Sequence, residues 1–240
     1  MQLNSNQHLR QIDESNLLFI DIETATVVPD VKGSDYESAW DYKCRYQNEI
    51  DKKTDKPFTN EEYFKYKASL YAPFSRVVSI VVGRLNKGKI TTKAYSSENE
   101  KELLIKFNSD LNKVYNKNKN TILVHYSGDG FDTPMLDKRL IVNGIKDGCP
   151  LITEEKFKKP WETNSLDLSK IWRGNSFYPD SLISVAACLG IPSPKEEMDG
   201  SMVSEYFWNG KLDEIEKYCI KDVETLIKVY MKMVFYNENE

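Results

Sequence analysis

The chain has 240 residues, of which 12% are aromatic and 29% charged, with a formal net charge of −4. This length supports one full-sized hydrophobic core, and the aromatic content excludes disorder of the whole chain. The negative charge excludes attraction of nucleic acid by a global basic field. A nucleic-acid enzyme of this composition would need local basic patches or bound metal ions.

The four cysteines form no C-x-x-C pair, and the chain has only two histidines, His8 and His125. A zinc site and a conventional Ser/His triad are therefore weakly supported. Residues 1–14 form a polar tail without a signal-peptide core, and no apolar run reaches the ~18 residues that span a bilayer. We expect a cytoplasmic protein with reduced cysteines and no membrane partner.

The first half of the chain predicts strands around an inserted region, all within a single domain over residues 1–240. The apolar run 17–22, interrupted by Asp21, predicts the first strand. Residues 30–73 are rich in Lys, Asp, Tyr and Phe and predict an insertion with helices at about 35–48 and 59–70. Its aromatics predict a small local core, with one or two rings left to stack on bases. Residues 76–85 and 89–95 predict a hairpin with its turn at 86–88.

The remaining elements alternate between helix and strand before a helical C-terminal part. A helix is predicted from Ser96 or Ser97, and a second runs from Pro134 to Asn143 and ends at Gly144. The other predictions are a strand at 121–126, an irregular loop at 145–164 with exposed Lys156, Lys158 and Lys159, a short element at 166–171, and helices at about 181–189, 200–208 and 212–235. This order predicts an α/β fold, a mixed β-sheet with helices on both faces.

Acidic side chains stand at the ends of several predicted elements. Asp21 and Glu23 share one side of the first strand, because successive strand residues alternate faces. Tyr218 and Asp222 are four residues apart on the last helix and share a face. Asp132 follows a Gly-rich bend after the fourth strand. If the first and fourth strands are neighbours, four carboxylates and one phenol meet at one point.

Such a cluster has a defined chemistry. Four nearby carboxylates repel one another, and some hold a proton unless cations are present. Oxygen-only ligands suit Mg²⁺ or Mn²⁺, and two such ions about 3.5–4 Å apart stabilise the attacking and leaving oxygens of a phosphoryl displacement. Each motif alone is weak, since D-x-E occurs by chance and Y-x-x-x-D mostly marks a core tyrosine and a solvated acid. Their order and their positions at element ends favour a site.

The combination resembles the DEDD superfamily of 3′–5′ exonucleases, with a DnaQ-like or ribonuclease H-like fold, in its tyrosine-containing DEDDy branch. It is most similar to predicted exonucleases related to the proofreading domain of family B DNA polymerases, from about residue 17 to residue 234. In the second motif, Ser127 stands where the family usually has Asn, four residues before Phe131. The matching segments are DIET at 21–24, GFDTPML at 130–136, SLISVAACLGIP at 181–192, DGSMV at 199–203 and YCIKDVETL at 218–226.

The resemblance implies roles for individual residues. Tyr218 would hold the nucleophilic water, and Glu23 would also contact the terminal 3′-OH. The implied ligands of two divalent ions, Mg²⁺ or Mn²⁺, are Asp21, Glu23, Asp132 and Asp222. The residues expected to contact substrate are Thr24, Ser127, Phe131 and Ser201. The expected partner is a nucleic acid 3′ end, with single-stranded DNA preferred. RNA trimming, and a non-catalytic nucleic-acid-binding module with the same fold, stay open as alternatives.

Other candidate residues have simpler interpretations. His125 is expected to be a packed residue at a strand end, although a catalytic role is the alternative. Asp167 is expected to cap a helix or hold a loop rather than assist a metal. Residues 199–201 predict a turn and N-cap, with substrate contact by Ser201 as the less favoured alternative. The lysines at 156–159 predict a solvated loop that would meet phosphates only as a second possibility.

Overall fold

The computed structural model describes residues 9–46, 50–51, 56–159, 162–192 and 198–234. A five-stranded mixed sheet lies at the centre in the order β5-β4-β1-β6-β7. β1 pairs antiparallel with β4 and parallel with β6, so the condition set from the sequence, that the first strand neighbours the strand predicted at 121–126, is met. The sheet strands are β1 (Leu17–Thr26), β4 (Ser75–Asn86), β5 (Lys89–Ser96), β6 (Ile122–His125) and β7 (Ser165–Asp167), and a separate pair is formed by β2 (Ile50–Asp51) and β3 (Lys56–Pro57).

Helices cover both faces of the sheet, as predicted. The described helices are α1 (Glu37–Cys44), α2 (Asn60–Lys67), α3 (Glu100–Lys117), α4 (Asp132–Val142), α5 (Pro150–Thr153), α6 (Leu168–Arg173), α7 (Leu182–Cys188), α8 (Val203–Trp208) and α9 (Leu212–Met233). Among these described helices, none is long and apolar enough to cross a bilayer.

The alternation of β1 side chains divides the core into two halves. Leu18 and Ile20 point to the face covered by α3 and α4. Leu17 and Phe19 point to the opposite face, where they join the apolar side of α9. The Phe19 ring meets Tyr230 of α9 edge to face, with centroids 5.4 Å apart. Because strand side chains alternate between the two faces, the odd-numbered residues of β1 that follow Phe19 also point toward α9.

The inserted region has its own aromatic core, as its composition predicts. Trp40 is completely buried, and its indole donates a hydrogen bond to the Asn60 carbonyl at 2.7 Å. Its ring contacts Phe64 and Phe74 at centroid distances of 5.2 and 5.0 Å. The insertion is fastened to the end of β1 by the Thr24 hydroxyl, which donates to the Ser69 carbonyl at 2.8 Å.

Several local predictions are wrong. α3 begins after Asn99, whose side chain caps the backbone of Glu102, because Ser96 is still the last residue of β5. The segment 145–164 is not wholly irregular, since it contains α5 and a short 3-10 turn. Its lysines are not simply solvated: Lys156 and Lys158 form ion pairs with Asp137 and Glu155, both at 2.6 Å.

The ends of the chain add contacts that the sequence pattern does not reveal. Leu9 lies in the tail expected to be polar, yet it is 3% exposed and packs into the core under α9. The Arg10 guanidinium donates to the Val234 carbonyl at 2.6 Å. His8 and the predicted end of the last helix at residue 235 lie outside the described residues.

Candidate active site

β1 delivers two carboxylates to the α9 face just before an irregularity in its pairing with β4. Asp21 and Glu23 follow Phe19 on that face, and the register with β4 shifts between Glu23 and Thr24. Glu23 is only 8% exposed. Ligand atoms of Asp21, Glu23 and Cys219 all lie within 4.8 Å of one another. The expected proximity of the D-x-E pair to the last helix is therefore present.

α9 contributes Tyr218, Cys219 and Asp222 to the same point. The buried Cys219 thiol lies 3.5 Å from Asp21 Oδ2 and donates a hydrogen bond to it. The Tyr218 hydroxyl hydrogen-bonds with Asp222, one helical turn further on. The sequence motifs did not indicate Cys219 as a residue of the site. Its position directly after Tyr218 is the feature that could have suggested it.

Asp132 is the first residue of α4 and is 5% exposed. The parallel pairing of β1 with β6 places the bend after β6 beside the carboxyl end of β1, because parallel strands end at the same edge. Among the described residues, none hydrogen-bonds to Asp132 Oδ2, a buried atom. A buried carboxylate oxygen without a donor is costly, so this atom favours a cation.

α4 is held in place by a buried ion pair. Arg139 of α4 donates to Glu100 of α3 through Nε at 2.8 Å and through Nη2 at 2.6 Å. The same carboxylate accepts the Val77 backbone N–H of β4 at 2.7 Å. This network joins α4, α3 and the sheet, and it therefore fixes where Asp132 stands.

The electrostatics of the cluster follow from burial and from like charges. Burial, and then the charge of Asp222, raises the pKa of Asp21 to about 7. Burial and the charge of Asp21 raise the pKa of Asp132 well above its usual range. Burial and neighbouring carboxylates also raise the pKa of Tyr218 and of the Cys219 thiol, so both stay protonated at neutral pH. Without cations, the cluster cannot be fully ionised at neutral pH.

The donor set fits hard divalent cations. Carboxylate oxygens are the ligands that Mg²⁺ and Mn²⁺ prefer, whereas a protonated thiol does not bind a metal. Among the described residues, Asp132 Oδ2 has no hydrogen-bond donor, and burial together with the charge of Asp222 raises the pKa of Asp21. Both observations indicate that the carboxylates of the cluster lack a counterion. The residues present therefore fit the ions that the sequence resemblance implies.

A second acidic group, beside Asp132, is satisfied by hydrogen bonds. His125 is fully buried, as expected of a packed strand-end residue, and its Nε2 lies 2.9 Å from both Asp129 Oδ1 and Ser165 Oγ. Asp129 also pairs with Lys170 at 2.6 Å. The expected cap at Asp167 is confirmed, because its Oδ1 accepts the Ser169 N–H at 3.0 Å.

Two of the four residues expected to contact substrate lie in turns of the backbone. Ser127 has φ +64°, a left-handed conformation that Asn tolerates better than Ser. Its N–H donates to Asp167 Oδ1 at 2.8 Å, which supports the bend. Ser201 lies in the expected turn, with its hydroxyl 2.5 Å from Asp199 Oδ1.

The other two residues are partly committed to packing. Thr24 is 6% exposed, and its hydroxyl is used to hold the insertion. Phe131 is half-buried against the core under α4. Their roles toward substrate, and that of Ser127, stay predictions.

Gly128 has no room for a side chain. A Cβ added there would lie 2.4 Å from the His125 ring and 2.5 Å from Asp132 Oδ2. We expect Gly128→Ala to lower the free energy of unfolding by about 1–3 kcal/mol, because overpacking moves these groups, and to reduce any activity that needs Asp132. Urea unfolding and a nuclease assay measure both effects.

Gly130→Ala is the matched control for this change. Of the atoms in the described part of the chain, a Cβ at Gly130 would meet only the Ser127 carbonyl, at an ordinary 3.6 Å. We expect its stability and activity to remain close to wild type. Equal effects of the two substitutions would show that general loop stiffness, and not the space beside Asp132, explains the result.

The raised pKa of Asp21 predicts an unusual pH dependence of the metal-free protein. Between its ordinary pKa of 3.8 and about 7, the folded protein binds more protons than the unfolded chain. Stability in EDTA should therefore fall as pH rises through this window, by up to about 1.4 kcal/mol per pH unit from this group. Urea unfolding at several pH values measures it, and Asp21→Asn should flatten the profile. A mutant profile parallel to that of wild type would contradict the assignment.

A mixed sheet of this order with acids at the end of β1 defines the ribonuclease H-like class of fold. The family model described as "Predicted 3'-5' exonuclease related to the exonuclease domain of PolB" matches residues 67–239, and the chain belongs to this family. The resemblance stated from the sequence is thus confirmed. The matched segment contains Asp132, Tyr218 and Asp222 and begins after Asp21 and Glu23. The structure brings those two residues to the same point.

A solved structure shares the fold. The family B DNA polymerase of the hyperthermophilic archaeon Pyrobaculum calidifontis superposes with a TM-score of 0.57 at 18% sequence identity over 91% of this chain. The chain spans only 24% of the length of that polymerase. No curated protein matches the chain.

Proposed function

We propose that this protein is a 3′–5′ exonuclease that hydrolyses phosphodiester bonds with two divalent ions, Mg²⁺ or Mn²⁺. The proposed ligands are the four carboxylates Asp21, Glu23, Asp132 and Asp222. The observation that carries the proposal is the convergence of these acids, since burial and then neighbouring carboxylate charge raise the pKa of Asp21 and Asp132. A module that only binds nucleic acid has no use for such a cluster facing a phosphate.

Ions bound at these carboxylates would lower the pKa of the attacking water and stabilise the attacking and leaving oxygens. The protein's own contribution is to position the reactants. Tyr218 remains a neutral phenol beside Asp222 and Glu23, so it acts as a hydrogen-bonding group that orients the water. It is not a phenolate base. We further propose that Glu23 contacts the terminal 3′-OH, the role that the family resemblance implies.

We propose single-stranded DNA as the substrate, on the basis of the family's relation to a DNA polymerase proofreading domain. The other residues proposed to contact it are Ser127, Phe131 and Ser201. RNA trimming would use the same carboxylates. A panel of DNA and RNA substrates separates a DNA exonuclease from an RNA exonuclease.

The deciding experiment uses 5′-labelled DNA and RNA, single- and double-stranded, with Mg²⁺ or Mn²⁺. The expected result is a ladder that shortens from the 3′ end and disappears in EDTA, with single-stranded DNA degraded fastest. Undiminished cleavage in EDTA would refute the metal mechanism. Tight binding without cleavage under all conditions would instead support the non-catalytic module.

A further inference from the structure

The loop between α6 and α7 presents two adjacent aromatic side chains to solvent. Phe177 is 95% exposed and Tyr178 is 83% exposed. A single exposed aromatic needs no explanation, but two neighbouring rings with almost no packing indicate a surface that another molecule covers.

Both ends of this loop are anchored, so the rings are presented from a fixed base. The Trp172 indole, at the end of α6, donates to Asp180 Oδ2 at 2.9 Å. The Tyr126 hydroxyl donates to the Asp180 carbonyl at 2.8 Å. Tyr126 is the residue before Ser127, so the loop is tied directly to the bend of the candidate active site.

A cleft of about 180 Å³ connects the loop to that bend. Its lining includes Ser127, Ser169, Lys170 and Arg173. The residue after Ser127 is Gly128, where an added Cβ would lie 2.5 Å from Asp132 Oδ2. The cleft therefore begins beside a proposed metal ligand and leads away toward the loop.

Two cations, Lys170 and Arg173, and two carboxylates, Asp167 and Asp180, line the cleft. Asp167 accepts the Ser169 N–H and Asp180 accepts the Trp172 indole N–H. Lys170 is paired with Asp129 at 2.6 Å. Arg173 is exposed, and its guanidinium forms no hydrogen bond or ion pair with any other residue that the structure describes. Arg173 is thus available to a phosphate, within four or five residues of the two exposed rings.

We infer that a stacking surface binds single-stranded nucleic acid at the nucleotides that precede the 3′-terminal one. This surface consists of Arg173, Phe177 and Tyr178. The inference rests on the proposed function and names residues of this chain that would hold its substrate away from the carboxylates. Exposed rings with a neighbouring cation are the combination by which proteins hold single strands, because only unpaired bases offer their faces for stacking. A duplex hides those faces.

The test compares wild type with the double variant Phe177→Ala/Tyr178→Ala on a short oligothymidylate and on thymidine 5′-monophosphate p-nitrophenyl ester. The enzyme concentration for half-maximal single-turnover rate on the oligonucleotide should rise at least about 5-fold, since loss of stacking on an aromatic ring costs about 1–3 kcal/mol per base. The ester has one nucleoside and does not reach the loop, so its hydrolysis should not change.

Phe157→Ala is the matched control, because Phe157 is 80% exposed but lies in the 3-10 turn Glu155–Phe157, outside this loop and outside the inserted region. It should leave both substrates unaffected. Arg173→Gln should reduce the slope of log affinity against log salt concentration by about 0.7, the value for one phosphate contact on a single strand.

The possible outcomes are distinct. Wild type that cleaves neither substrate would refute the proposed function, and the inference would fall with it. If wild type cleaves the oligonucleotide and the double variant cleaves it equally well, the stacking surface is refuted and the proposed function is not. The exposed rings would then be a candidate binding surface for a protein partner. Equal loss on the oligonucleotide and the ester would also overturn the inference. So would equal loss with a blunt duplex, or equal loss in Phe157→Ala.

Discussion

Asp222→Asn should abolish exonuclease activity, with a loss of at least about 10³-fold, while the protein remains folded. Asp222 lies on the face of α9 that meets Asp21, and its charge raises the pKa of that residue. Asn cannot supply the charge that holds a divalent ion. Several kcal/mol of transition-state stabilisation are therefore lost, at tenfold per 1.36 kcal/mol. Single-turnover cleavage of a labelled oligonucleotide measures the loss.

The same substitution separates a catalytic acid from a structural one. In EDTA, Asp222→Asn should melt at or above the wild-type temperature, because it removes one charge from a repelling cluster at nearly constant volume. It should also lose the rise in melting temperature that Mn²⁺ gives wild type. Lower stability in EDTA together with a retained Mn²⁺ effect would refute the shared site.

Glu224→Gln provides the control on the same helix. Its side chain is 42% exposed and lies 3.9 Å from Lys228, an ion pair of little energetic value. We expect wild-type activity and an unchanged response to Mn²⁺. A loss of activity in Glu224→Gln comparable to that in Asp222→Asn would mean that any acid on α9 is needed.

Tyr218→Phe should slow the chemical step by about 10²–10⁴-fold, the usual contribution of a positioned proton-transfer or water-orienting group. The phenol is held beside Asp222 and Glu23, where its raised pKa keeps it protonated. It is not a proposed metal ligand, so substrate affinity and the Mn²⁺-induced rise in melting temperature should be retained. Single-turnover rates across enzyme concentrations separate rate from affinity.

Tyr230→Phe is the matched variant at the other end of α9. Tyr230 is 4% exposed and packs on Phe19, away from the carboxylates. Its hydroxyl should be dispensable for catalysis. If Tyr218→Phe retained the wild-type single-turnover rate, Tyr218 would be a core tyrosine like Tyr230.

Much of this protein could be predicted from local sequence patterns. The apolar run before Asp21, the hairpin and the long periodicity of α9 predicted their elements because strand alternation and helical spacing are local properties. The same periodicities predicted that Asp21 and Glu23 share a face, and that Tyr218 and Asp222 share another. The family match confirms the exonuclease-type domain that these motifs indicated.

Tertiary structure decided the environment of each acid. Pairing partners far apart in the chain determined that Cys219 lies against Asp21, that Asp132 Oδ2 lacks a donor, and that Asp129 is hydrogen-bonded to His125 and Ser165 and paired with Lys170. No spacing rule distinguishes Asp129 from Asp132, although they are three residues apart. Burial and neighbouring charge arise only when β1, β6 and α9 pack together, and these set which carboxylates are left to bind cations.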